Sequence, residues 1–226
     1  MSFHILKNPA LKNQVGIIQD KKTDTEKYRT TLSRIGSFMI YEVSHLIDKE
    51  IIKIETNFGK IKGIRLKDEN IIFIAILRAA IPMVMGALEV FPHAQCGIIS
   101  ARRLLIKEGD GIKSAQFNVP VEYSNIPQIQ KNSILIIPDP ALASGSSIVA
   151  VLNKLLDGVK PKKILILSVV CANEGVKNIL KNFPKTEIYT ACLGKGLNNK
   201  GYIVPDGPGD AGDRSFGLGS TVHKMK

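Results

Sequence analysis

Short runs of apolar residues recur along the chain and are separated by segments with helical spacing. The run Ile71–Leu77 contains no polar residue, which is typical of a strand buried on both faces. Further segments with the composition of strands are 96–100, 133–138, 163–170 and Glu187–Leu193. Segments that place apolar residues on one helical face are 82–90 and 174–183. This alternation of strands and helices predicts an α/β fold, with a parallel sheet covered by helices on both faces.

The pattern before and between these strands is different. Residues 25–52 carry apolar side chains at helical spacing and predict a long amphipathic helix, with Thr23 or Asp24 as the N-cap. Residues 53–66 alternate around a turn and predict a hairpin. Residues 101–125 interrupt the rhythm and predict a protruding β-arm. Such an arm can close over a site as a lid, and a plain solvent-exposed hairpin is the alternative.

Segment 134–147 has the strongest chemical signal. An apolar run ends at Asp139, a loop of small and hydroxyl residues follows, and helical spacing resumes at Ile148. Such a loop brings backbone N–H groups and the positive end of a helix together, which suits a phosphate, while an acid at the strand end can hold ribose hydroxyls or a metal ion. We therefore expect a sugar-phosphate site; an ordinary strand–turn–helix connection is the alternative. The residues of this loop are Pro140, Ala141, Leu142, Ala143, Ser144, Gly145, Ser146 and Ser147.

Two arginines and a glycine-rich tail are expected near the same place. Arg78 follows the strand predicted at 71–77, and Arg103 follows the next strand along the chain. A guanidinium has a forked donor geometry that matches phosphate oxygens. The tail at 201–214 is rich in glycine, which lets a backbone approach a flat ligand closely. Sites in parallel sheets lie at the carboxyl ends of the strands, so these groups are expected to converge there.

Composition narrows the classes of function. The 226 residues are 44% hydrophobic and carry a formal net charge of +11. The positive charge is spread along the chain, and with few aromatic residues to stack on bases it favours a lysine-rich solvated surface over a nucleic-acid site. No apolar run is long enough for a membrane span and no signal pattern opens the chain, so a cytoplasmic protein without a membrane is expected. Three widely spaced cysteines fit neither a zinc site nor a disulfide framework: Cys96, Cys171 and Cys192.

Three motifs, in this order, resemble the uracil phosphoribosyltransferase family. They are Leu-Arg-Ala at 77–79, Asp-Pro-Ala-Leu-Ala-Ser-Gly at 139–145, and a tail at 201–217 that contains Gly-Tyr-Ile-Val-Pro and Gly-Asp-Ala-Gly-Asp-Arg-Ser-Phe-Gly. The resemblance implies a type I phosphoribosyltransferase-like parallel sheet flanked by helices, with N-terminal helix and hairpin elements and a protruding β-arm, in one domain over 1–226. It also implies a pyrimidine-salvage reaction in which uracil and 5-phosphoribosyl 1-diphosphate (PRPP) give uridine monophosphate (UMP) and diphosphate.

The resemblance also assigns roles to residues. Asp139 and the loop through Ser147 would bind the ribose and its 5-phosphate, and Arg78 and Arg103 would bind the diphosphate. Asp210 would contact PRPP through magnesium or water, and Asp139, Asp210 and Arg103 would be the catalytic residues. The base would lie in the tail segment 194–217, on Ile203, Gly209, Asp210 and Ala211.

Partners follow from the same resemblance. Mg²⁺ would arrive with PRPP rather than on dedicated protein ligands. The protein would be a homo-oligomer, a dimer or larger, with the helix and hairpin at 25–66 as the candidate interface.

Some positions depart from the family pattern. Ala80 stands where glycine is usual, and the loop at 205–209 is one residue longer than usual. The longer loop motivates an alternative, a phosphoribosyltransferase for another pyrimidine-like base. The charge of +11 motivates a second alternative, a non-catalytic RNA-binding regulator that retains the ligand site.

Overall fold

The computed structural model describes residues 2–101, 104–107 and 116–218. The strands in chain order are β1 (Phe3–Ile5), β2 (Lys49–Thr56), β3 (Gly59–Leu66), β4 (Ile71–Leu77), β5 (Gln95–Ala101), β6 (Leu104–Lys107), β7 (Gln116–Asn118), β8 (Val121–Asn125), β9 (Ile134–Leu142), β10 (Lys163–Cys171), β11 (Glu187–Leu193), β12 (Gly196–Leu197) and β13 (Ile203–Val204). The helices are α1 (Pro9–Gln19), α2 (Thr25–Val43), α3 (Ile81–Val90), α4 (Ser146–Leu155), α5 (Asn173–Asn182) and α6 (Ala211–Phe216).

Within these residues, seven strands form a central sheet in the order β1-β11-β10-β9-β4-β5-β8. Neighbouring strands are parallel except for β5 and β8, which are antiparallel. From β4 the chain moves outward to β5, whereas from β9 it moves the other way, through β10 to β11. The direction of winding therefore reverses between β4 and β9, and a crevice at their carboxyl ends is the expected ligand site.

Each face of the sheet packs against its own set of helices. Ile71, Phe73 and Ala75 belong to a core shared with α1, α2 and α3, whereas Ile72 and Ile74 belong to a second core shared with α4 and α5. Alternate residues of a strand point to opposite faces, so the apolar run of β4 fills both cores. The predicted α/β fold with a mostly parallel, helix-flanked sheet is thereby confirmed. Among the described helices, none combines the length and apolar composition that crossing a bilayer requires.

Glycines let α2 and α3 pack closely. A Cβ atom on Gly36 would lie under 3.0 Å from the carbonyl oxygen of Met83, and one on Gly86 equally close to that of Ser33. Ser37 Oγ donates a hydrogen bond of 2.8 Å to the Gly86 carbonyl. The two helices therefore meet backbone to backbone, which anchors α3 behind β4.

The predicted helix over 25–52 is wrong after residue 43, in about its last third. Helix α2 begins after Asp24, which caps it as expected by accepting from Lys27 N, and ends at Val43. A short 3₁₀ turn follows, and from Lys49 the chain is a strand of the β2–β3 hairpin. The apolar residues beyond 43 continue the helical spacing. However, the β-branched residues of β2 favour an extended backbone and pair with β3, so this segment forms a strand.

Two other expectations change. Helix α1 and strand β1 were not predicted; β1 is only three residues long and pairs with β11 at the sheet edge. Of the predicted arm at 101–125, β6 and β7 pair with each other, but β8 is an edge strand of the central sheet beside β5. The sequence of 121–125 does not indicate which strand these residues pair with, so the prediction places them in the arm.

Candidate functional site

A cleft of about 180 Å³ opens at the carboxyl ends of β4 and β9, where the winding reverses. Its walls come from residues in 76–80, in 138–147 and in 209–212, together with Ala101 and Tyr202. The structure therefore brings the phosphate-loop segment, the segment after β4 and the glycine-rich tail to one place, although they are far apart in sequence.

Strand β9 delivers Asp139 to the floor of the cleft. Asp139 Oδ1 accepts a hydrogen bond of 3.0 Å from the backbone N–H of Ala141, two residues further along the strand. The pairing with β10 continues through Leu142, whose N–H donates to Ser168 Oγ at 3.0 Å. The strand thus ends four residues later than predicted, and the start of the phosphate loop is held to the sheet.

The remainder of the loop turns tightly into α4. Gly145 is in the left-handed region at φ +74° and caps the helix, a conformation that favours glycine. The Ser144 and Ser146 hydroxyls lie 3.0 Å apart, and Asn178 Nδ2 donates to the Ser144 carbonyl at 2.8 Å. Asp139 and residues 141–148 line a small hollow of about 30 Å³ at the helix N-terminus. First-turn N–H groups and the helix dipole favour an anion there.

Helix α5 supports this loop from behind. Gly175 lies so close that a Cβ atom would be 2.9 Å from the carbonyl oxygen of Leu142 and closer still to that of Ala143. The N–H of Ala172 donates to the Leu142 carbonyl at 2.9 Å. The start of α5 therefore holds the loop backbone by a close contact and a hydrogen bond.

Arg78 follows β4, and the Leu77–Arg78 peptide is cis. Its Nη2 lies 2.7 Å from Asp213 Oδ1 and 3.4 Å from the Gly217 carbonyl oxygen. The Arg78 side chain is 42% exposed, so the ion pair is screened by water and orients the guanidinium more than it stabilises the fold. The Arg78 guanidinium is exposed to solvent beside the cleft and is held in one orientation by Asp213. It can therefore bind an anionic ligand.

The tail builds the opposite wall. Strand β13 pairs with β12, and the chain then returns through a cis Val204–Pro205 peptide to Gly209, which has φ +75°. Asp210 caps α6 by accepting from the N–H of Asp213 at 3.0 Å. Gly209, Asp210 and Ala211 all line the cleft.

Not every expected site residue reaches the cleft wall. Ile203 is buried at 7% exposure and is not among the lining residues; its side chain lies against Gly194. The neighbouring Tyr202 lines the cleft instead, and strand alternation at Ile203 was the signal that could have identified it. Arg103 lies outside the described residues.

Ala80 fits its position without strain. Its φ of −75° and ψ of −18° are right-handed helical values, which alanine adopts freely, and it caps α3. The alanine in place of glycine therefore leaves the turn after β4 intact and adds a methyl group to the cleft wall.

The cysteine near the phosphate loop has no nucleophilic role. Burial raises the pKa of the Cys171 thiol to about 12, so it remains protonated at neutral pH.

The carboxylates fit a magnesium ion that arrives with a ligand. Asp139 and Asp210 both line the cleft and offer the hard oxygen atoms that Mg²⁺ prefers. In the described part of the chain no three His, Cys, Asp or Glu side chains cluster as a metal site. Mg²⁺ keeps several waters and commonly binds through one or two carboxylates and substrate phosphates, which matches this donor set.

Comparison with known proteins agrees with this arrangement. The family model described as uracil phosphoribosyltransferase matches residues 5–218. The uracil phosphoribosyltransferase of Pyrococcus furiosus is 41% identical over 201 residues, covering 88% of this chain and 83% of the relative. That of Sulfurisphaera tokodaii is 39% identical over 219 residues, covering 96% and 100%. The solved structure of the AQ2163 protein from Aquifex aeolicus superposes with a TM-score of 0.84 at 32% identity, covering 96% of this chain and 98% of that one. The chain belongs to the uracil phosphoribosyltransferase family.

Proposed function

We propose that this protein is a pentosyltransferase that converts uracil and PRPP to UMP and diphosphate. The observation that carries the proposal is that the phosphate loop after Asp139 and the tail residues Gly209, Asp210 and Ala211 line the same cleft. Such a cleft can hold a phosphorylated sugar on one side and a flat base on the other.

Different residues of the cleft bind different parts of PRPP. The hollow lined by residues 141–148 binds the 5-phosphate through backbone N–H groups and serine hydroxyls, and Asp139 accepts hydrogen bonds from the ribose hydroxyls. Arg78 and Arg103 bind the diphosphate, whose leaving oxygen gains negative charge as its bond to C1 of the ribose breaks. Uracil N1, after loss of its proton, forms the new bond to C1.

The backbone of the tail at 209–211 recognises the pyrimidine base. Gly209 to Ala211 present N–H and C=O groups at the cleft, which is how a small site recognises the polar edge of a pyrimidine. Ile203 contributes from behind this wall, through its buried side chain. Asp210 also lines the cleft and contacts PRPP through magnesium or water.

Magnesium completes the charge balance. When bound with PRPP, Mg²⁺ neutralises charge on the diphosphate oxygens. Asp139 and Asp210 are the residues that would hold it or its waters.

We further propose that residues 1–226 act as one domain in a cytoplasmic homo-oligomer whose interface includes the β2–β3 hairpin. Supporting this, Ile51 and Ile64 share one face of the hairpin and are 76% and 67% exposed, and Phe58 at its tip is fully exposed. Unpaired apolar surface of this kind is typical of an interface. Replacing Ile51 and Ile64 by aspartate should lower the mass measured by light scattering to that of one chain; an unchanged mass would place the interface elsewhere.

The decisive experiment measures UMP formation from uracil, PRPP and Mg²⁺ for the wild type, Asp139→Asn and Asp157→Asn. Asp157 is exposed beyond the end of α4, so its variant controls for the loss of one carboxylate. We expect wild-type turnover, a loss of about 100-fold or more in Asp139→Asn, and little change in the control. Nucleotide formation with a different pyrimidine-like base alone would support the first alternative. Salt-sensitive RNA binding without nucleotide formation would support the regulator.

A further inference from the structure

Arg214 connects the tail to the N-terminal helices, although it does not line the cleft itself. Its Nη1 donates to the carbonyl oxygen of Pro208 at 2.9 Å and also to that of Ile18. Its Nη2 donates to the carbonyl oxygens of Asp20 at 2.7 Å and Thr23 at 3.3 Å. One planar guanidinium thus joins the base-side loop to the segment between α1 and α2.

Tyr28 completes the contact from α2. Its ring lies under the guanidinium, with the Arg214 Cζ 4.3 Å from the ring centroid, and its hydroxyl donates to the Pro208 carbonyl at 3.2 Å. Tyr28 is fully buried, and burial raises the pKa of its hydroxyl, so this group remains a donor at neutral pH. The Pro208 carbonyl therefore accepts two hydrogen bonds from two different elements.

The next peptide lies against the same arginine. Gly209 has φ +75°, and a Cβ atom there would be 3.1 Å from Arg214 Cδ. Pro208 shares a peptide bond with Gly209, and Gly209 begins the cleft wall that continues through Ala211. Whatever fixes the Pro208 carbonyl also fixes the plane of that peptide and the first N–H group of the wall.

We propose that Arg214 and Tyr28 are positioning residues for the base: together they hold the 208–211 backbone in place as the wall of the base pocket. This rests on the proposed function, in which that wall binds uracil. The guanidinium fork is essential because it reaches four carbonyl oxygens while stacking on the ring, and a lysine ammonium is a single point charge that cannot do both. Within the described residues, the hydrogen bonds of Tyr28 and Arg214 go to the tail and to the α1–α2 region rather than to the phosphate loop, so we expect the sugar side to be spared.

Arg29 supplies a matched control. It also lies on α2 and also donates to a tail carbonyl, that of Ser215 at 2.9 Å, near the C-terminal end of α6. Arg29→Lys therefore removes an arginine contact between α2 and the tail, but leaves Pro208 untouched.

The test compares Arg214→Lys, Tyr28→Phe and Arg29→Lys in steady-state kinetics, with each substrate varied in turn. We expect KM for uracil to rise about tenfold in Arg214→Lys and less in Tyr28→Phe, with KM for PRPP within about twofold of wild type. Arg29→Lys should leave both constants near wild type. Equal rises in both KM values, or the same uracil effect in the control, would overturn the proposal.

Amide hydrogen exchange provides a readout that needs no substrate. The N–H groups of 209–211 should exchange faster in Arg214→Lys than in wild type or Arg29→Lys, while the strands of the central sheet keep their protection. If the wild type forms no UMP, the proposed function fails, and exchange alone decides the proposal about this pair. Unchanged exchange at 209–211 would refute it in either case.

Discussion

Gly175 lies behind the phosphate loop and does not contact a substrate. Replacing it by alanine should nevertheless weaken the binding of PRPP. Gly175 lies in the first turn of α5. An added Cβ atom would lie 2.9 Å from the carbonyl oxygen of Leu142 and closer to that of Ala143. Both obstacles are backbone atoms of the loop, so no side chain can rotate away to make room.

The size of the effect follows from these distances. Ordinary van der Waals contact begins at 3.4 Å, so relieving the Leu142 contact alone takes about 0.5 Å, and the nearer Ala143 oxygen requires a separation of about 1 Å. Hydrogen bonds to a phosphate span about 2.7–3.2 Å, and a shift of that size takes several of them out of range. We expect KM for PRPP to rise about tenfold or more. Overpacking should also lower the free energy of unfolding by about 1–3 kcal/mol.

The assay is UMP formation at varied PRPP, with thermal unfolding measured in parallel. Gly16→Ala is the control: Gly16 lies inside α1 with nothing within 4 Å of its added methyl group. Alanine there should retain wild-type kinetics and raise the free energy of unfolding by up to about 1 kcal/mol. If Gly175→Ala keeps the wild-type KM for PRPP and the wild-type free energy of unfolding, the loop can move away from α5 without loss of binding or stability. The inference from the close contact would then be wrong.

Three further predictions concern other parts of the fold. Asp213→Asn removes the exposed ion pair to Arg78; it should change the free energy of unfolding by less than about 1 kcal/mol, yet alter KM for PRPP in kinetic assays because the guanidinium loses its orienting partner. Gly36→Ala drives a methyl group into the Met83 carbonyl and should lower the free energy of unfolding by about 2–3 kcal/mol in denaturant titrations. Stability should fall as pH rises above 9, because the Cys171 thiol ionises in the unfolded chain from its ordinary pKa of 9.0 but resists ionisation in the fold until about 12; Cys171→Ala should flatten this part of the profile.

Each of these has a contradicting result. A large loss of stability in Asp213→Asn would mean that the ion pair supports the fold rather than the ligand site. A stable Gly36→Ala would show that α2 and α3 can move apart freely. An equal alkaline slope with and without Cys171 would assign the pH dependence to other groups.

Much of the architecture was readable from local pattern. A strand buried on both faces has a continuous apolar sequence. This is why the strand Ile71–Leu77 is predicted with its correct bounds. The phosphate loop was equally readable, since an acid, small residues and a following helix are adjacent in sequence. Both signals are short-range and need no knowledge of distant contacts.

Elsewhere the same local signals were misleading. Apolar residues at 46 and 47 continued the spacing of α2, and only the pairing of β2 with β3 shows that the helix has already ended. Residues 121–125 have the pattern of any edge strand, and their place beside β5 depends on the available sheet edge.

The class of the fold, the phosphate loop and the family motifs could be predicted from the amino-acid sequence, because they depend on neighbours along the chain. Which side chains lie together in the cleft depends on the folded structure. It set Asp213 against Arg78, 135 residues away, and Arg214 against Tyr28, and it turned Tyr202 rather than the Ile203 side chain to the cleft. Such contacts join segments far apart in the chain, and their partners are chosen by how the packed helices and strands meet.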